Sequence, residues 1–170
     1  MLPEKTRIST GFNRLNQVLN SLFIGDNVIW YDDAGSLAAE FCMKFIHDSI
    51  LQHQPVVYVS FDRSPKNLIA KLGPLAKNQY LTILDCFTNG KGGTAQVFNQ
   101  FYEKDGAQWP YQVIRITRPD LPQAVSDAIY GLHRTLNGNV RFIFESLTGM
   151  ADLWNGEDHV VKFYSHTCPQ

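Results

Sequence analysis

Asp32 and Asp33 stand in the stretch Tyr31-Asp32-Asp33-Ala34-Gly35-Ser36. It lies between an apolar, β-prone run (Val28, Ile29, Trp30) and residues at helical spacing (Leu37, Phe41, Phe45, Ile46). A join of that kind is where a phosphate-binding loop sits. The working form, GxxxxGK[ST], uses glycines to bring backbone N–H groups to the phosphates. Its lysine neutralises β/γ charge and its hydroxyl holds Mg²⁺. Between Val28 and Leu37 the chain offers one glycine, Gly35, one hydroxyl, Ser36, and no lysine. Two carboxylates in such a loop would repel a triphosphate. The helix that follows still presents its dipole and free N–H groups, and Asp33 or Ser36 is expected to cap them. Asp62 and Glu145 each follow or end an apolar run, so both can face one crevice at the carboxyl ends of their strands. There they could work as an acid–base pair.

Other stretches offer weaker chemistry. "TNGKGGTAQVF", 88–98, holds three glycines and Lys91 but fails the GxxxxGK[ST] spacing. It reads as an anion-binding nest of N–H groups or as a surface turn with Thr94 as N-cap. The histidines His47, His53, His133, His159 and His166 form no short metal motif. His159 and His166, with Glu157, Asp158 and Cys168, are either a transition-metal cluster or, as expected here, a solvated helix end. Ser146 in "FESLTG" lacks the glycines of a G-x-S-x-G elbow. Trp30, Trp109 and Trp154 fall in different elements and are assigned to core or interface packing.

The elements that must position these residues alternate between strand and helix, which predicts an α/β fold with a mainly parallel sheet. A helix is expected over about 11–20, from Phe12, Leu15, Val18, Leu19 and Leu22. Strands are expected at 27–31, 55–61, 81–87, 112–117 and 140–145. Helices are expected over about 36–52, from Ser64-Pro65 with Ser64 as N-cap, through Val97, Phe98, Phe101 and Tyr102, over 122–136, and from about Asp158. "NGN" at 137–139 is a turn and "HTCPQ" a loop-like end. The 170 residues match one domain. The chain ends soon after its last strong strand, so an open C-terminal sheet edge is expected, covered by another chain or by a further segment of a longer protein.

Composition narrows the partners. Net charge is −1, and the basic residues are scattered, so no nucleic acid is expected. Three distant cysteines with no CxxC argue for reduced thiols in a cytoplasmic protein. No apolar run approaches the length that spans a bilayer, and no membrane role is expected.

Several stretches together carry a family resemblance. "RISTGFNRLNQVLN" resembles the "R(I/V)xTGIxGLDxLL" opening of the KaiC-like branch of the RecA-superfamily (P-loop) ATPases. "VVYVSFDRSPKNLIAKL" is similar to that family's "VLYVSFEESPEELLRxA". "LTILDCF" resembles its next strand, and "VRFIFESLTGMADL" its Walker B strand, "RVVIDSLTAL". The resemblance covers most of the chain in order, and it implies a RecA-like three-layer α/β/α sandwich that assembles with ATP and Mg²⁺ between subunits. It also implies which residues would have served the nucleotide. "YDDAGS" occupies the place of "GxPGxGKT" and lacks Gly-Lys-Thr. The acidic pair that polarises water falls on Asp62 and Arg63, and the Walker B aspartate on Glu145. With three elements altered together, hydrolysis should be lost. The expectation is a non-catalytic domain with a vestigial nucleotide site and no cofactor, which acts in signalling or regulation by binding a protein partner or a second copy of itself. The alternative is a weak ATP-binding protein or slow ATPase with a lysine substitute from Lys91 or Arg63.

Overall fold

A computed structural model describes residues 6–31, 33, 37–92, 96–105, 112–137 and 139–167. The elements run β1 (Arg7–Ile8), α1 (Asn13–Val18), β2 (Leu22–Phe23), α2 (Ala38–Leu51), β3 (Val56–Ser60), α3 (Pro65–Leu72), β4 (Leu81–Asp85), α4 (Phe87–Gly90), α5 (Gln96–Gln100), β5 (Gln112–Arg115), α6 (Pro122–Thr135), β6 (Arg141–Glu145), α7 (Leu147–Leu153) and α8 (Glu157–Thr167). A 3₁₀ turn, Gly73–Lys77, follows α3, and a π-helical turn, Phe101–Asp105, extends α5.

β3, β4, β5 and β6 form one all-parallel sheet in the order β5-β4-β3-β6. Helices cover both of its faces, which gives three layers, α/β/α. Alternation along each strand sorts side chains between the faces. Val57, Val59 and Leu84 meet Val125 and Ile129 of α6, Met150 of α7, and Val160 and Phe163 of α8. Val56, Tyr58, Ile83 and Ile143 meet Ile46 of α2 and Leu68 and Leu72 of α3. Every residue of β3 and β4 is buried, because each strand has neighbours on both edges and helices on both faces. That explains why "VVYVS" and "LTILD" are nearly continuous apolar runs.

Local signals hold where they carry their own hydrogen bonds. Ser64 caps α3 by accepting from the Asn67 N–H, with Pro65 in the first turn. β1 and β2 pair antiparallel, Arg7 opposite Phe23 and Ile8 opposite Leu22. Between them, Thr10 N–H and Oγ1 both donate to Asn16 Oδ1 at 2.8 Å. Gly11, at φ +86°, brings this turn onto α2, where a Cβ would lie 2.7 Å from the Lys44 carbonyl oxygen. Only glycine fits that contact.

Several expectations are corrected. Residues 27–31 are not a strand. They run in irregular backbone on the surface, with Ile29 75% and Tyr31 91% exposed. The reason is pairing: β-prone residues form a strand only when they pair with another, and 27–31 pair with no strand among the described residues. The first helix stops at Val18, earlier than expected, since Asn20 and Ser21 adopt positive φ and Leu22 enters β2. "TNG" at 88–90 is helical turn α4 rather than loop, while Gly93 and Thr94 lie outside the described residues. His166 and Thr167 belong to α8 rather than to a terminal loop. α7, where the sequence pattern predicts no helix, is a helix capped by Ser146, whose Oγ accepts from the Gly149 N–H at 3.0 Å. Trp154 is core, with Nε1 donating to the Pro119 carbonyl at 2.8 Å. Trp30 stacks on Phe41 at the surface, and Trp109 lies outside the described residues.

Candidate functional site

The carboxyl ends of β3 and β6 bring three of the sequence-selected residues together. Ser60 and Glu145 are register partners, so Asp62 and Arg63, just past β3, emerge beside Glu145. Glu145 is the hub. Its Oε2 accepts from the Tyr58 phenol at 2.7 Å. Its Oε1 accepts from Arg63 Nε at 2.9 Å and from Lys71 Nζ at 3.1 Å. Burial by itself would raise the Glu145 pKa, but the hydrogen bonds from Arg63 and Tyr58 and the charge of Lys71 outweigh it and hold the carboxyl below its ordinary range. Glu145 in turn raises the Arg63 pKa through the hydrogen bond between them. The Tyr58 phenol is pushed far up by burial and by the adjacent carboxylate, so it stays a donor.

Asp62 takes a different partner. Its Oδ2 accepts from Ser146 Oγ at 2.5 Å, and Ser146 is the residue that caps α7. Gly149 makes this approach feasible, since an added Cβ there would overlap Asp62 Oδ1 and lie 2.9 Å from its Cγ. Asp62 and Glu145 therefore share one end of the sheet but sit in separate hydrogen-bond networks. One serves a helix cap and the other a cation pair.

Of the loop expected to hold phosphate, Asp33 is exposed, and Asp32, Ala34, Gly35 and Ser36 lie outside the described residues. The strand-to-helix join that made this stretch a phosphate-loop position is absent, because 27–31 is not a strand. The N-cap position of α2 is held by Leu37, whose side chain makes no capping bond. Of the lysine substitutes, Arg63 is engaged by Glu145, and Lys91 lies over the Phe87 ring, 5.1 Å from its centroid. Lys71 and Tyr58 were missed in the sequence. Lys71 reads as an ordinary polar position of an amphipathic helix, and Tyr58 as one residue of a buried strand. The available signal was parity for Tyr58, which shares a sheet face with Glu145; Lys71, on a helix, carried none.

A magnesium ion does not fit this arrangement as it stands. Both oxygens of the acid that the resemblance assigns to it already accept from two cations and a phenol, and an ion that needs them as direct ligands would have to displace those bonds. One surface depression of about 640 Å³ lies between α7 and α8, lined by Leu147, Ala151, Val160 and Val161 among others. Another lies on α6 beside Tyr130 and Arg134. Neither includes Asp62, Arg63 or Glu145.

Next to the site, at the end of β4, Asp85 is fully buried. It accepts from the Thr88 N–H at 2.9 Å and from the Tyr102 phenol at 2.6 Å. This carboxylate fastens α4 and the turn after α5 to the sheet. Among the described residues, no group of three or more His, Cys, Asp and Glu is placed to hold a metal ion; Cys168, of the cluster considered above, lies outside them. Among the same residues, no helix is long and apolar enough to cross a membrane. No protein-family model, curated protein or solved structure matches the chain.

Proposed function

We propose that this chain is a non-catalytic KaiC/RecA-like domain that acts in signalling or regulation by binding a protein partner or a second copy of itself, with a vestigial nucleotide site. One observation carries the reading. Glu145, the acid at the Walker B position of the resemblance, has both oxygens satisfied by Tyr58, Arg63 and Lys71. An internal cation pair stands where a nucleotide enzyme would keep an acid open for its metal. The same carboxylate thus joins β3, α3 and β6, and its role in this reading is to hold the sheet end together. The three dispersed cysteines and the near-neutral charge support a cytoplasmic protein with protein partners rather than nucleic acid.

The test is thermal unfolding with and without millimolar Mg-ATP and Mg-ADP. A ligand that binds only the folded state raises stability by RT ln(1 + [L]/Kd), so a Kd near about 100 µM would add on the order of 1–2 kcal/mol. No shift with either nucleotide is the expected result. A shift of several degrees would overturn the reading and favour a weak ATP-binding protein, with Arg63 and Lys71 as the first residues to mutate.

A further inference from the structure

β6 ends the sheet, and among the described residues no strand pairs with its outer edge. Its backbone polarity follows from its pairing with β3. Arg141 N–H donates to the Pro55 carbonyl at 3.0 Å, and the Glu145 carbonyl accepts from the Phe61 N–H at 2.7 Å. In a parallel ladder, the residues that bond to one neighbour alternate with those that face away. Residues 141, 143 and 145 therefore bond to β3, and the N–H and C=O groups of Phe142 and Phe144 point outward. β6 has no proline, no lysine and no bulge in its register, three of the devices that protect exposed edges, and carries its charges only at its two ends.

The sequence of this edge, Arg-Phe-Ile-Phe-Glu, is complementary to itself when reversed. We propose that two copies of the chain pair antiparallel through β6, about a two-fold axis at Ile143, to form one continuous eight-stranded sheet. This register sets Phe142 opposite the partner's Phe144 and Phe144 opposite the partner's Phe142. Those are the residues whose backbone groups face outward, so each pair exchanges both N–H···O bonds. Arg141 falls opposite the partner's Glu145, and Glu145 opposite the partner's Arg141. These are non-hydrogen-bonded positions, where cross-strand side chains approach most closely.

The alternatives lack this match. A shift of two residues moves Arg141 opposite Ile143 or Leu147 and leaves both charges without a counterpart. Parallel in-register pairing sets like charges side by side. The opposite edge, β5, reads Gln-Val-Ile-Arg and has no such self-complementarity.

The charges are already held in place for this role. Arg141 Nη1 donates to Ser49 Oγ at 2.7 Å and its Nη2 to Gln52 Oε1 at 2.8 Å, which leaves further guanidinium N–H groups to donate. Glu145 already accepts from Tyr58, Arg63 and Lys71, so the partner's Arg141 would add charge attraction across the two-fold axis and displace none of these bonds. This inference rests on the self-assembly branch of the proposed function and names its geometry.

The experiment uses the unmodified chain. Sedimentation at rising concentration is combined with amide hydrogen exchange resolved by residue. The expected result is a monomer–dimer equilibrium in which the Phe142 and Phe144 amides slow at least about tenfold as dimer forms. The Arg141, Ile143 and Glu145 amides, already bonded to β3, should change little by comparison. Ile143→Cys reads the register directly. Antiparallel non-hydrogen-bonded Cβ atoms lie about 4.5–5.5 Å apart, close to disulfide reach, so mild oxidation should cross-link this variant and not the parent chain. A monomer at every concentration would overturn the proposal and leave the hetero-partner branch standing if Mg-ATP gives no thermal shift. A dimer with unslowed Phe142 and Phe144 amides would overturn it equally. A thermal shift with Mg-ATP alongside the slowed amides would sink the non-catalytic reading and leave the dimer intact.

Discussion

The phenol of Tyr58 donates to Glu145 Oε2 at 2.7 Å across the β3–β6 boundary, while Arg63 and Lys71 hold the other oxygen. One carboxylate thus collects a strand, the segment after it and a helix. Glu145→Gln keeps the shape and removes the charge. Two cations then face a neutral amide, and unfolding in denaturant should show a loss of about 1–3 kcal/mol. Arg63 is 47% exposed, so Arg63→Ala should cost less, within about 1 kcal/mol. An equal or larger loss for the arginine variant would remove Glu145 as the hub.

The pH dependence follows from the same group. The Glu145 pKa is lower in the folded state than its ordinary value of 4.5. The unfolded chain therefore binds its proton first as pH falls. The stabilisation is fully present above about pH 4.5 and is lost as pH drops through the folded value. Stability measured from pH 6 downward should fall less steeply in Glu145→Gln than in the parent, and parallel curves would refute this.

Gly149 sits in α7, where Gly→Ala usually stabilises a helix by roughly 0.5–1 kcal/mol. Here the sign should reverse, because the new methyl overlaps Asp62 Oδ1. The carboxylate can leave only by breaking its bond from Ser146. Gly149→Ala should forfeit the usual helix gain and cost up to about 1 kcal/mol, the worth of the exposed Ser146–Asp62 bond. Combined with Asp62→Ala, the same substitution should become neutral or stabilising. A double-mutant cycle with no coupling would disprove the contact.

Gly11→Ala meets two obstacles, a φ of +86° and the Lys44 backbone carbonyl at 2.7 Å. Backbone cannot swing aside as a side chain does. The substitution should loosen the β1–β2 pair and the turn into α1 from α2, with a loss above about 1 kcal/mol and faster exchange of the Thr10 amide, which donates to Asn16 Oδ1. Unchanged exchange there would show that the β1–β2 pair does not depend on this contact.

Ser64→Ala removes the acceptor for the Asn67 N–H at the start of α3. The expected loss is about 1 kcal/mol. Because α3 carries Lys71 to Glu145, it should be accompanied by a weaker acid dependence. If stability falls with the acid limb unchanged, α3 and Glu145 are not coupled.

What the sequence determined by itself was whatever its neighbours in the chain enforce. "VVYVS", "LTILD" and "RFIFE" are too apolar for anything but buried or edge strands, Ser64-Pro65 starts a helix with its own hydrogen bond, and alternation of strand with helix selects a parallel three-layer sheet. Asp62, Arg63 and Glu145 were legible as neighbours because they follow or end strands of one sheet.

The tertiary structure decided the rest. "NVIWY" has the composition of a strand, yet a strand exists only where pairing completes its ladder, and 27–31 pair with neither edge of the sheet, although the outer edge of β6 has no strand beside it among the described residues. Lys71 looks like any solvent-facing lysine until α3 packs on β3 and lays it against Glu145. Side-chain partners separated by 74 or 87 residues are set by packing, which local pattern does not encode. The fate of Glu145, whether open to a metal or closed by its own cations, was therefore a property of the folded chain.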